Sequence, residues 1–80
     1  MSAIPSSHDA VLTRKAVADA LTEAGFPIKA TTLATMATRG GGPLFRLFGS
    51  KPLYRWGDAL DWAHGRLSKP IRSTSELEAA

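Results

Sequence analysis

The sequence predicts a mainly α fold with one small β-hairpin, made of three short helices and two strands. Three observations predict it. Apolar residues recur at helical spacing in three places, through Val17, Ala20, Leu21 and Ala24, then Leu33 and Ala37, then Ala59, Leu60, Trp62, Ala63 and Leu67. Gly40-Gly41-Gly42-Pro43 then stops the second helical pattern, because proline blocks its continuation and glycine opens backbone angles closed to other residues. Finally, two short aromatic-rich runs, residues 44–48 and 52–55, flank the turn Gly49-Ser50-Lys51.

Taken in order, residues 1–11 show no periodicity and read as a flexible N-terminal tail; residues 12–69 form the domain and residues 70–80 a second flexible tail. Thr13 is placed to cap the first helix, with Leu12 packing just outside it. Gly25 is expected to end that helix as a left-handed cap on which Phe26 folds back. Arg14 and Lys15 stand in its first turn, where cations oppose the helix dipole by a few tenths of a kcal/mol each. That penalty is either simply tolerated or offset by a nearby phosphate.

A link of roughly three residues, Phe26-Pro27-Ile28, leads to the second helix near residues 30–38, a spacing that fits a helix-turn-helix. Its inward stripe is Leu33 and Ala37 with Met36 or Ala30. Lys29, Thr31, Thr32, Thr35, Thr38 and Arg39 lie at its start or on its outward positions. Threonine is a mediocre helix former, so a face built of it is not what helix stability alone selects. Such threonines are either ordinary surface residues or groups whose hydroxyls reach phosphates and whose methyls meet thymine methyls in a major groove.

The hairpin follows, with Arg46 and Lys51 as its cations and Pro52 confined to a strand end or an edge. A lone hairpin is marginal in water, so it is expected to pack on the helices through Phe45, Leu47, Leu53 or Tyr54. Arg55 ends its second strand and Trp56 opens the third helix; Trp56 reads equally as core, wedge or interface. Gly57 is placed as the cap of the third helix and Asp58 in its first turn, with Trp62 as a core anchor and Pro70 as its stop. Ser73-Thr74-Ser75-Glu76 has capping-box spacing.

Composition bounds the function. The chain has 80 residues, 44% hydrophobic, a single domain with a modest core. Without cysteine there is neither a disulfide nor a thiolate site, and the two histidines, His8 and His64, are too few for a usual metal site. No nucleophile stands with a base, and Asp58 and Asp61 read as a helix-start charge and a solvated face, so no enzyme, cofactor or metal is expected. The glycine run is not a phosphate loop, since no Gly-Lys-Ser/Thr follows it. No apolar run is long enough to cross a bilayer and the first residues lack signal-peptide character, so a cytoplasmic protein without a membrane partner is expected. The net charge is +3, yet residues 13–55 hold seven cations against two acids. That concentration is either a solvated basic face or the footprint of a nucleic-acid binder.

The motifs Thr32-Leu33, Arg39-Gly40-Gly41-Gly42-Pro43-Leu44-Phe45, Tyr54, Asp58 and Trp62 resemble those of the excisionase-type members of the MerR-like winged helix-turn-helix superfamily. That family commonly shows a Thr-Leu pair in the second helix, an Arg-Gly-x-Gly-Pro turn, a Tyr closing the wing and an acid four residues before a Trp. Two positions depart from it. Residue 57 is Gly where relatives have a Ser or Asp cap, and the second helix has threonines where relatives often carry Arg, which points to reading by shape and phosphate contact. The resemblance implies a winged helix-turn-helix that binds double-stranded DNA, with the second helix in the major groove through Lys29, Thr31, Thr32, Thr35, Thr38 and Arg39. Arg14, Lys15, Arg46, Lys51 and Arg55 would serve the wing and the backbone. It further implies an architectural excisionase (a recombination directionality factor) that loads in several copies, bends attachment-site DNA and directs a tyrosine recombinase, an integrase, toward excision of a mobile genetic element. A transcription regulator of the same fold and a small protein-binding adaptor are the alternatives.

Overall fold

The structure, a computed structural model, describes residues 2–73. Three helices pack against a small antiparallel sheet, in the order β1 (Val11–Thr13), α1 (Arg14–Glu23), α2 (Ala30–Arg39), β2 (Arg46–Phe48), β3 (Lys51–Arg55) and α3 (Trp56–Gly65). The sheet has three strands in the order β1-β3-β2, not the two of a lone hairpin. The added strand pairs Val11 with Arg55, Leu12 with Tyr54 and Thr13 with Leu53. It turns a marginal hairpin into a sheet whose middle strand is hydrogen-bonded on both edges.

Thr13 ends that strand and caps α1 at once, its Oγ1 accepting from the Ala16 amide at 3.2 Å. The far end of α1 closes as a Schellman motif. Phe26 N–H donates to the Leu21 carbonyl at 2.8 Å and Gly25 N–H to that of Thr22 at 3.2 Å. The link to α2 therefore runs over residues 24–29 and is longer than three residues, because the cap takes its first half. Thr22 fastens the second half: its hydroxyl donates to the Ile28 carbonyl at 3.1 Å and accepts from the Ile28 amide at 3.2 Å.

Residues 8–11 satisfy the start of α3. Trp56 N–H donates to the Ala10 carbonyl and Gly57 N–H to that of His8, both at 2.8 Å. Helix-start amides normally lack partners, and here backbone carbonyls take the place of a side-chain cap. Arg55, not Gly57, is thus the cap residue. Gly57 is needed for a different reason: a Cβ there would lie 3.1 Å from the His8 carbonyl oxygen and 2.7 Å from Arg55 Nη1. At its other end α3 stops at Gly65, well before Pro70, and two short turn bonds, Arg66 N–H to Ala63 and Leu67 N–H to His64, close it. Leu67 accordingly lies beyond the helix and is exposed.

The core gathers Val17, Ala20 and Leu21 of α1, Leu33 of α2, Tyr54 of β3, and Trp56 with Ala59 of α3. Trp56 is buried, which settles it as a core residue. No buried polar side-chain atom among the described residues lacks a hydrogen-bond partner. The capping-box spacing at residues 73–76 and most of the C-terminal tail fall outside the described residues.

Candidate nucleic-acid interface

Helix α2 is held to the body by one fully buried side chain, Leu33. Thr31, Thr32, Thr35, Thr38 and Arg39 are exposed. Two of the threonines fold back on their own helix: Thr35 Oγ1 donates to the Thr31 carbonyl at 3.1 Å, and Thr38 Oγ1 more weakly to that of Ala34 at 3.4 Å. Their hydroxyl protons are engaged, and what they offer outward is oxygen lone pairs and methyls. Lys29 stands at the start of α2 and Arg39 in its last turn, where a cation favours the helix dipole.

After Arg39 the chain turns sharply. Gly40 and Gly41 have φ of 94° and 91°, angles that any side chain would strain. The corner is braced from α3, where Trp62 Nε1 donates to the Gly41 carbonyl at 2.8 Å. Arg66 lies over the Trp62 ring, 5.2 Å from its centroid, and donates to the same carbonyl at 3.3 Å. Trp62 is only half-buried; it anchors the glycine corner rather than filling the centre of the core.

Beyond the corner, the register pairs Arg46 with Leu53 and Phe48 with Lys51. Directly paired residues share a face, so Arg46, Phe48, Lys51 and Leu53 line one side, and Leu47, Pro52 and Tyr54 the other. Only the base of this hairpin reaches the helices. Tyr54 is buried and Leu53 half-buried, but Leu47 is 64% and Phe48 75% exposed. Of the residues offered for packing on the helices, Tyr54 and Leu53 thus serve and Leu47 does not; β2 packs chiefly on β3. Phe45 sits at the boundary, 38% exposed and 5.6 Å from the Tyr54 ring.

The cations divide into two groups. Arg14 is half-buried: its Nε donates to Tyr54 Oη at 3.0 Å and its guanidinium lies near 6 Å from the Phe45 and Tyr54 rings. Lys15 pairs with Asp19 at 3.2 Å on the open surface of α1. Arg55 is held by Asp9 at 2.9 Å and Asp58 at 3.0 Å. The Asp9 hydrogen bond, with the field of Asp58, raises the Arg55 pKa further above its ordinary value. By contrast, Lys29, Arg39, Arg46 and Lys51 form no ion pair among the described residues. Arg14, Arg66 and Lys69 form none there either; of the unpaired cations, Lys29, Arg39, Arg46 and Lys51 sit on α2, at its start and on the hairpin, at the two sides of the glycine corner.

Sequence reasoning did not single out Asp9, Arg66 or Thr22. Asp9 and Arg66 meet their partners across 46 and 25 residues, and nothing local announces such contacts. No group of three or more His, Cys, Asp or Glu side chains placed to hold a metal occurs among the described residues, and no helix there is long and apolar enough to cross a membrane. Comparison with protein-family models, curated proteins and solved structures finds no match to this chain.

Proposed function

We propose that this chain binds double-stranded DNA as a winged helix-turn-helix, with α2 in the major groove and the β2–β3 hairpin as a wing along the backbone or in the adjacent minor groove. The observation that carries the reading is the placement of unpaired charge: Lys29, Arg39, Arg46 and Lys51 lack carboxylate partners among the described residues, whereas Lys15 and Arg55 are neutralised locally. Free cations on a helix face and on a projecting hairpin form the pattern that phosphate recognition requires. The exposed threonines of α2, two of which (Thr35 and Thr38) engage their hydroxyl protons with their own helix, suit reading by shape and apolar contact more than by charged bidentate bonds to guanine.

The resemblance in the sequence extends this to a role. The chain acts by binding, as an architectural excisionase in the cytoplasm: several copies load on attachment-site DNA, bend it and direct a tyrosine recombinase toward excision. The exposed Phe48 beside Arg46 and Lys51 supports a wing that touches both backbone and groove. A mobility-shift titration on attachment-site DNA tests the binding. Four phosphate contacts give a salt slope of about −3.6, so affinity falls roughly 150-fold between about 50 and 200 mM salt. Affinity that stays level across that range rules the reading out.

A further inference from the structure

Helices α2 and α3 both rest on α1 but make little contact with each other. The gap is an open cleft of about 780 Å³. Its floor is apolar, formed by Phe26 and Ile28 of the interhelical link, Met36 of α2, Trp62 of α3 and Leu67 beyond it. Among the described residues, Lys29 and Arg66 are its only charged lining residues, and both are cations. Its walls are fixed from within the protein. Phe26 meets the His64 ring edge-on at 5.1 Å, and Arg66 is held by Trp62 and the Gly41 carbonyl. Such a surface loses little freedom on binding, which favours affinity.

We propose that this cleft docks an acidic amphipathic helix of a partner protein. Apolar anchors at i, i+3 or i+4, and i+7 sit against Phe26, Met36, Trp62 and Leu67, and flanking carboxylates face Lys29 and Arg66. The chemistry selects this occupant over the others. A nucleic-acid backbone has no apolar face to fill the floor. A second copy would bring its exposed Leu47 and Phe48 together with Arg46 and Lys51, setting cations against cations. The C-terminal residues 74–80 hold one large apolar side chain, Leu77, too few for a floor of this width. The cleft adjoins the proposed DNA-reading face and shares Lys29 and Thr32 with it, whereas Thr31, Thr35 and Thr38 do not line the cleft.

The test is fluorescence anisotropy of a labelled synthetic helix of about 16 residues, long enough for a few helical turns, with Leu at the anchor positions and Glu between them. It is titrated with the full chain. Saturable binding is expected, weakened about tenfold or more by Met36→Glu and by the pair Lys29→Glu with Arg66→Glu. The control pair Arg46→Glu with Lys51→Glu makes the same change in net charge away from the cleft and is expected to leave binding unchanged. The proposal is overturned if that control weakens binding equally, if the peptide binds as well with its Leu anchors changed to Ser, or if it does not bind. It is also overturned if Leu77→Ser tightens peptide binding severalfold, because the occupant is then the chain's own C-terminal segment. Far-UV circular dichroism of each variant confirms that the helices are retained.

Discussion

Leu33→Ala is expected to cost this domain about 3 kcal/mol. Leu33 is 1% exposed and is the only fully buried side chain of α2. Leu→Ala at buried sites spans about 2–5 kcal/mol, the spread reflecting how far each site collapses. Here partial collapse is available: Met36 is half-buried, unbranched and adaptable, and Leu33 already borders a small open pocket of about 120 Å³ beside the glycine corner. That places the loss in the middle of the range. A domain of 80 residues has about 4–12 kcal/mol of stability in total, so this one change removes a large part of it. Urea denaturation followed by circular dichroism measures the loss directly, and the melting temperature should fall by about 12–24 °C. Hydrogen exchange should show the α2 amides losing protection ahead of those of α1, because α1 keeps Val17, Ala20 and Leu21 buried. A loss below about 1 kcal/mol, or loosening confined to α1, would refute the claim that Leu33 attaches α2.

Three further outcomes follow from the same contacts. Gly57→Ala gains about 0.5–1 kcal/mol of helix propensity but crowds the His8 carbonyl and Arg55; crowding of about 1–3 kcal/mol prevails, and a rise in melting temperature would show the close approach to be unimportant. Trp62→Phe keeps an aromatic ring, though a smaller one, but removes the 2.8 Å bond to Gly41, with an expected loss of about 1 kcal/mol and changed amide shifts at Gly41 and Gly42; unchanged shifts there would mean that the corner needs no brace. Arg39→Ala and Lys51→Ala are each expected to reduce the salt slope of DNA binding by about 0.9, and Lys15→Ala by less because Asp19 already offsets that charge; equal slopes for all three would contradict the division between free and paired cations.

The helices are legible in the sequence because their apolar spacing and stop signals are local. Thr13 as cap, Gly25 as terminator and the Gly40–Gly41 corner all follow from residue type and position. The third strand is not legible: Val11, Leu12 and Thr13 are too few to show alternation, and Thr13 reads first as a helix cap. Nor does the sequence tell that Trp56 is buried while Leu47 is bare. Both are large apolar residues, and what separates them is how far the helical layer extends beneath the sheet. The cations show the same limit. Local charge marks Lys29, Arg39, Arg46 and Lys51 on the chain, but that Arg55 is tied to Asp9 depends on the fold bringing distant segments together.

The central claim, that α2 and the hairpin form one DNA-binding surface, is tested most directly by titrating attachment-site duplex into isotope-labelled protein and following each amide by NMR. The account predicts saturable shifts at Lys29, Thr31, Thr35 and Arg39 of α2 and its start, and at Arg46, Phe48 and Lys51 of the hairpin, with the exposed α3 residues Asp61 and Gly65 unmoved. Shifts confined to the α2–α3 cleft, or no shifts at saturating duplex, would contradict it.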